Sequence, residues 1–175
     1  IGGLYRTVFF TLNGNESTID YSPWSDDNQS RASLNFITGG TINGESDQVK
    51  KCWQNGYKAI ARANILLEKL EDANSVGISE EKKQLYRAQT LFVRATQYAI
   101  LTSLFGDVVY IDKEISIDEA FEMGRTDREE VMENVYKDLD EAAHYLPETY
   151  GTQREFATKG AAYAIKARYA LYNED

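Results

Sequence analysis

The chain has 175 residues, of which 42% are hydrophobic and 27% are charged, and this composition is typical of one folded globular domain. The net charge of -9 repels phosphate backbones, and no local cluster of Lys and Arg offsets it, so we expect no nucleic-acid partner. A single cysteine, Cys52, excludes a disulfide within the chain and a thiolate zinc site, and a single histidine, His144, excludes a multi-histidine metal site.

The first twelve residues give conflicting signals. The run from Thr7 to Thr11 is β-branched or aromatic, which favours a strand. Leu4, Val8 and Thr11 also follow a helical spacing. Propensity alone weakly favours the strand.

Residues 13–46 are the least regular part of the chain. Asn, Gly, Ser, Thr and Asp dominate there, and this composition favours turns. The stretch is longer than a connection in a compact domain needs to be, and such segments are often functional. Aromatic, carboxylate, amide and guanidinium side chains crowd its centre, namely Tyr21, Trp24, Asp26, Asn28 and Arg31.

The remaining sequence predicts four helices, because apolar or small residues recur at three- and four-residue steps. They cover residues 47–73, 79–105, 127–146 and 158–173, with an irregular connection over 107–125. The face of the first comprises Trp53, Tyr57, Ile60, Ala61, Asn64 and Leu67, and that of the second Leu91, Phe92, Ala95, Tyr98, Ala99 and Thr102. The third uses Val131, Val135, Leu139, Ala142 and Leu146, and the fourth Ala161, Ala164, Ile165, Arg168 and Leu171.

The predicted helix ends carry capping signals. Candidate N-caps are Ser46 or Asp47, Ser79, Thr126 and Thr158. Glu129 follows Thr126 at the spacing of a capping box. Gly106 follows the last periodic residue of the second helix, where a left-handed cap requires a residue without a Cβ. Gly56, inside the first helix, predicts a close crossing with another helix.

The four helices are expected to form two helical hairpins, and the short link over 74–78 makes the first and second helices antiparallel neighbours. The helix starts in the two pairs have similar offsets, which is typical of a tetratricopeptide-type solenoid. The predicted fold is therefore all-α, a right-handed stack of helical hairpins with one long irregular segment facing a ligand or partner.

No catalytic signature is present. The chain lacks a phosphate-binding glycine loop, a nucleophile elbow and metal-ligand spacing, so we predict neither catalysis nor a cofactor. The charge runs Glu80–Glu81 and Asp138, Asp140, Glu141 are interpreted as solvated helix faces. His144 is interpreted as a surface residue near a helix end.

Four segments together resemble the RagB/SusD family of outer-membrane nutrient-binding lipoproteins. The first joins Trp53, Tyr57, Ile60 and Asn64 within the first helix. The second is RAQTLFVRA, which contains Arg87 and Arg94, followed by LFGDV with Gly106 and Asp107. The third runs from Thr126 to Pro147, and the fourth is ATKGAA with Gly160, followed by KAR and Leu171–Tyr172. Gln89 replaces the glutamate and Val109 the proline that the family usually has, and both are expected to lie off the helix faces.

The resemblance implies a partial N-terminal domain over residues 1–175, with the C-terminal part of the family absent. The signal peptide and the lipid-anchored cysteine would lie outside this chain, and Cys52 is not that cysteine because it falls inside a helix. GLYR at the start resembles the beginning of a family helix, so residues 2–12 are predicted to be helical against their propensity. Arg87 and Arg94 are interpreted as partners for carboxylates in the stack.

The implied function is nutrient capture at the extracellular face of the outer membrane. The protein would bind a glycan, or less often a peptide, as the lid of a SusC-like TonB-dependent transporter, without catalysis. Sugar rings stack on Trp and Tyr, and their hydroxyls need polar partners. Trp24 is the predicted stacking residue, supported by Tyr21, with hydrogen bonds from Asp26, Asn28 and Arg31. The alternatives are that Trp24 only packs the loop onto the helices, and that the chain is a scaffold that docks on the transporter alone.

Overall fold

The computed structural model describes residues 4–5, 39–72, 77–152 and 156–174. Within these residues the chain forms four long helices, one short helix and one isolated antiparallel bridge between Val108 and Thr126. The helices are α1 (Asp47–Glu71), α2 (Glu80–Phe105), α3 (Ile117–Glu122), α4 (Arg128–Tyr145) and α5 (Lys159–Asn173). Leu4 and Tyr5 are also helical. None of the described helices has the length and apolar character needed to cross a membrane. The predicted all-α fold is confirmed.

Helix α2 is the centre of the core. It packs between α1 and α4, while α5 packs mainly on α4. Every residue from Ala88 to Ala99 is buried, so α2 contributes all of its faces to the interior over three turns. Ala88, Ala95 and Ala99 have no exposed surface, and their small side chains allow the neighbouring helices to approach closely.

The crossing of α1 and α2 depends on Gly56. A Cβ atom at this position would lie 3.0 Å from a methyl group of Leu101. The predicted close crossing is therefore confirmed. On the same side of α1, Ala59 and Ala63 are fully buried. Ala61, which was predicted to share this face, is exposed.

Several predicted helix ends are confirmed. The Ser79 hydroxyl accepts a hydrogen bond from the Lys82 amide, and the Thr158 hydroxyl accepts one from the Ala161 amide. Gly106 ends α2 at the predicted position, with φ 68° and ψ -122°; this positive φ favours glycine, but the ψ lies outside the left-handed helical region that was predicted. Ser46 occupies the N-cap of α1 without a side-chain capping bond.

The predicted capping box at Thr126 is wrong. Asp127 is the N-cap of α4, and Thr126 instead pairs with Val108 in the bridge. The Asp107 carboxylate accepts a hydrogen bond from the Arg128 amide at 3.0 Å, so a residue from the preceding connection satisfies the start of α4. Sequence spacing does not identify such a cap, because its acceptor is remote in the chain.

The capping box that the structure does contain lies in the connection that was predicted to be irregular. The Ser116 hydroxyl accepts from the Glu119 amide, and the Glu119 carboxylate accepts from the Ser116 amide. These bonds stabilise the short helix α3.

The predicted packing face of α5 is wrong in part. Leu171 is 82% exposed, and Ala164 and Arg168 are also exposed. The buried residues are Ala162 and Tyr169. Alanines occur around most of α5, so their spacing did not discriminate between the two faces. By contrast, all five residues predicted for the apolar face of the helix over 127–146, which is α4 in the structure, are buried.

Candidate functional site

The predicted ligand-binding residues lie outside the described part of the chain. These are Tyr21, Trp24, Asp26, Asn28 and Arg31. Most of the helix predicted over residues 2–12 lies outside it as well. The ligand site therefore stays a prediction. The described residues form the helices that follow this segment in the sequence.

The family-motif residues of α1 hold the backbone of the segment 107–113, which connects α2 to α3. The Tyr57 hydroxyl donates a hydrogen bond to the Val109 carbonyl at 2.9 Å. The Asn64 amide donates to the carbonyls of Ile111 and Lys113 at 2.8 and 3.1 Å. Backbone carbonyls of a non-helical segment need such partners when they face a protein interior. The motif thus anchors an irregular segment to a helix.

Tyr98 of α2 completes this anchorage, although the sequence identified it only as part of a helix face. Its hydroxyl donates to the Ile111 carbonyl at 2.9 Å and accepts from the Ile111 amide at 2.7 Å. Its ring packs against Tyr110 with the ring centroids 4.9 Å apart. Burial raises the pKa of Tyr98 above its ordinary range, so the hydroxyl stays protonated and keeps both hydrogen bonds.

Arg94 is the most connected motif residue. Its guanidinium donates two hydrogen bonds to the Asp138 carboxylate, both at 2.8 Å. A third nitrogen donates to the Asn64 side-chain oxygen and to the Asp112 carbonyl, each at 3.1 Å. Burial lowers the pKa of Arg94, but the bonds and charge of Asp138 outweigh this and raise it overall. One buried cation thereby joins α1, α2, α4 and the segment 107–113.

Asp138 is not on a solvated face, contrary to the prediction. Only 13% of its side chain is exposed, because α4 turns this position towards α2. Asp140 bonds Lys166 on α5 at 2.6 Å, and Glu141 bonds Arg87 on α2 at 2.6 Å. Glu80 and Glu81 are exposed, as predicted.

The interpretation of the two arginines as carboxylate partners is confirmed. Arg87 pairs with Glu141 and with Glu71 of α1, at 2.6 and 2.8 Å. It lies two turns before Arg94 on the same side of α2. The signal that could have found their partners is the antiparallel pairing of α2 with α4, in which later residues of one helix face earlier residues of the other.

Gln89 is the second buried polar centre, and the prediction that it lies off the helix faces is wrong. It is 2% exposed. Its side-chain oxygen accepts from the Tyr5 hydroxyl, and its nitrogen donates to the Tyr150 hydroxyl and to the Ala157 carbonyl. The Ala157 amide donates in turn to Tyr5 at 3.1 Å. A side chain that both accepts and donates is needed here, and an amide provides both functions.

An apolar groove of about 430 Å³ lies between α1 and α3. Ala61 and Ile65 line it from α1, Ile111 from the connection, and Ile117 and Ala120 from α3. At its end, Trp53 packs edge-on against Phe105, with ring centroids 5.1 Å apart, and Arg125 lies 5.8 Å from the Trp53 ring centroid.

Across the described residues, no three His, Cys, Asp or Glu side chains lie close enough together to hold a metal ion. The motif residues Tyr57, Asn64 and Arg94 form hydrogen bonds to neighbouring backbone, to Asp138 and to each other. In this chain, these side chains fix the connection between the two hairpins.

Residues 9–171 match the SusD-like family described as starch-binding and associating with the outer membrane. The chain belongs to the SusD-like family. SusD-like protein P2 of Formosa agariphila is 33% identical over 146 residues, covering 83% of this chain and 28% of that protein.

Solved SusD-like structures have the same fold. A SusD-like carbohydrate-binding protein from Bacteroides fragilis superposes with a TM-score of 0.78 at 25% identity, over 90% of this chain and 31% of that one. A laminarin-binding SusD-like protein superposes with a TM-score of 0.71 at 28% identity, over 81% and 30%. The chain therefore spans less than a third of the length of each of these SusD-like relatives.

Proposed function

We propose that this chain is the N-terminal part of a cell-surface glycan-binding protein that performs no catalysis. The observation that carries the proposal is family membership over residues 9–171, together with relatives described as carbohydrate-binding and laminarin-binding. The buried polar groups support it, because Arg94, Asp138 and Gln89 are engaged in holding the framework.

The proposed ligand site is the irregular segment 13–46. Trp24 is the stacking surface for a sugar ring, and Tyr21 extends it. Asp26, Asn28 and Arg31 supply hydrogen bonds to the sugar hydroxyls. Helix α1 follows this segment directly, and its attachment to α2 and to the segment 107–113 gives the site a fixed base.

The proposed partner is a SusC-like TonB-dependent transporter, on which the protein acts as a lid that delivers its ligand. The family description places its members in association with the outer membrane. In this proposal the protein is held at the extracellular face by a lipid anchor outside this chain.

Isothermal titration of the whole protein with polysaccharides and with peptides tests the ligand and the site. We expect binding of a polysaccharide and a loss of about tenfold or more in affinity for Trp24→Ala, the effect of removing a central aromatic contact. Tyr145→Ala is the matched control, because Tyr145 is 40% exposed and lies at the end of α4.

Each other outcome has a distinct meaning. Equal affinities of the wild type and Trp24→Ala would contradict the site assignment. Binding of peptides without polysaccharides would identify a peptide-binding member of the family. Binding of neither would favour the alternative in which the helical stack serves only to dock on the transporter.

A further inference from the structure

The loop that carries α3 is held firmly at both of its ends. Four side chains of α1 and α2 donate hydrogen bonds to backbone carbonyls of the segment 107–113, namely those of Tyr57, Asn64, Arg94 and Tyr98. The backbone bridge between Val108 and Thr126 joins the beginning of the loop to its end. Helix α3 therefore projects from a fixed base.

Helix α3 itself is loosely seated on the rest of the chain. None of its residues is buried, and among the helices that the structure describes none packs against it. The capping box of Ser116 with Glu119 stabilises it locally. The apolar groove of about 430 Å³ separates it from α1, and a second cleft of about 300 Å³ lies along its other side. The helix can thus move relative to α1 without breaking any packing between helices.

Two large apolar side chains of α3 lie at the mouth of the groove. Ile117 is 76% exposed and Phe121 is 86% exposed. Ile117 and Ala120 line the groove on the side of α3, and Ala61 and Ile65 line it on the side of α1. Phe121 is turned by only about 40° from Ile117 around the helix axis, on the side away from Ala120. A movement of α3 towards α1 therefore carries Phe121 into the groove.

The charges on the two sides of the groove are complementary. On α3, the carboxylates of Asp118 and Glu122 follow the two apolar residues. On α1, the exposed cations Lys58 and Arg62 lie just beyond the residues that line the groove. Opposite charges at this distance attract, and salt screens them because they are exposed. A second copy of the chain, with its net charge of -9, is repelled, so the complementary surface lies within the same molecule.

We infer that α3 is a strap that closes on α1, with Phe121 as the occupant of the groove and with Asp118 and Glu122 facing Lys58 and Arg62. Closure buries apolar surface that the open position leaves in water, and this gain favours the closed position. It also withdraws Phe121 from any external partner, so this apolar surface is available only when the strap is open. The inference goes beyond the proposed function and depends on neither the glycan nor the transporter.

Disulfide trapping in the whole protein tests the closed position. Lys58→Cys and Asp118→Cys are introduced together, with Cys52→Ser to remove the native thiol, and the rate of disulfide formation is followed by peptide mapping under mild oxidation. We expect the disulfide to form. Adding Phe121→Ala should slow its formation about tenfold or more, because the apolar driving force is lost. Leu171→Ala is the matched control, since Leu171 is 82% exposed on α5, and it should leave the rate unchanged.

The charges are tested in the same cysteine variant. Arg62→Glu should slow disulfide formation at low salt, because it places a carboxylate opposite Glu122. The effect should disappear at about 1 M salt, where charges are screened within about 3 Å. A rate that Arg62→Glu leaves unchanged at low salt would overturn the pairing of Glu122 with Arg62.

The remaining outcomes separate a closed position from random movement of the loop. Absence of the disulfide overturns the inference. So does a disulfide that forms at the same rate with and without Phe121→Ala, since the loop would then move without Phe121 entering the groove. The oxidised protein should unfold at the same temperature as the reduced protein or at a higher one. A lower unfolding temperature would show that the disulfide forces α3 into a strained position, and this too would overturn the inference.

Discussion

Arg94 of α2 and Asp138 of α4 form an ion pair with two parallel hydrogen bonds, both at 2.8 Å, with 9% and 13% of the side chains exposed. The geometry matches the planar guanidinium to the carboxylate. Because Arg94 also holds Asn64 and the Asp112 carbonyl, the pair joins both hairpins to the connection between them.

Breaking this pair should strongly destabilise the fold. Asp138→Asn leaves a buried guanidinium without its counter-charge, and we expect a loss of about 3 kcal/mol or more in the free energy of unfolding. The measurement is urea unfolding, with the midpoint shifted and the slope unchanged. Glu133→Gln is the control, since the Glu133–Lys137 pair is 4.0 Å apart and more than 70% exposed, and should change stability by less than about 1 kcal/mol. Equal effects of the two variants would contradict a structural role for the buried pair.

Gly56→Ala should destabilise the protein although alanine is the better helix former. The added methyl group would lie 3.0–3.1 Å from three carbon atoms of the fully buried Leu101 side chain. Such overpacking typically costs about 1–3 kcal/mol, which exceeds the gain of about 1 kcal/mol in helix propensity. Gly160→Ala is the control, because the nearest atom there is the Thr158 hydroxyl oxygen at 3.8 Å. Urea unfolding should show a loss for the first variant and none for the second, and a more stable Gly56→Ala would show that α1 and α2 separate at little cost.

The sequence predicted the helices well because their periodic faces and local caps are encoded within a few residues. Ser79 and Thr158 cap their helices as expected for this reason, and Gly106 ends α2 at the predicted position. The prediction from the sequence failed where a hydrogen-bond partner is remote in the chain. The Asp107 carboxylate that satisfies the start of α4 comes from the other side of the α3 connection.

In the framework of the candidate site, too, local features were predicted from the sequence and remote partners were not. The motif identified Tyr57, Asn64 and Arg94, but the acceptors that they bind depend on how α1, α2 and α4 are aligned. The run of charges alone therefore led to the wrong prediction that Asp138 faces solvent. The ligand residues around Trp24 stay a prediction that only binding measurements test.

Gln89→Leu should cost about 1–3 kcal/mol, because it leaves the buried Ala157 carbonyl and the Tyr5 and Tyr150 hydroxyls without their amide partner. Gln97→Leu is the matched control. Gln97 is 4% exposed, and its side-chain nitrogen has no hydrogen-bond partner among the described residues. That substitution should be neutral or stabilising in urea unfolding. A larger loss for Gln97→Leu than for Gln89→Leu would contradict this account of the two amides.

Gln89→Glu should be destabilising in a pH-dependent way. A carboxylate cannot donate to the Ala157 carbonyl, whereas a protonated carboxyl group can. Burial should raise the pKa of the introduced group in the folded state. The deficit relative to the wild type should therefore grow as pH rises above the ordinary glutamate value of about 4.3. Urea unfolding at acidic and neutral pH measures it, and a deficit independent of pH would show that the carboxyl group is solvated.

Alkaline pH should weaken the attachment of the segment 107–113. Burial raises the pKa of Tyr57 to about 12, and that of Tyr110 also to about 12. A tyrosine with a raised folded-state pKa contributes stability that is present below its unfolded value of about 10 and is lost as pH rises towards 12. The free energy of unfolding should therefore fall over this range, in parallel with tyrosinate absorbance.

Tyr57→Phe tests how much the Tyr57 hydroxyl contributes to the fall in the free energy of unfolding at alkaline pH. At neutral pH the variant loses the bond to the Val109 carbonyl and should be less stable by about 1 kcal/mol. Above about pH 10 this difference in stability should shrink. The wild type loses stability there because a buried tyrosine must ionise, whereas phenylalanine has no proton to lose. Tyr163→Phe, at a position 55% exposed, is the control and should match the wild type at both pH values. A deficit of the same size at neutral and alkaline pH would mean that ionisation of Tyr57 does not contribute to alkaline unfolding.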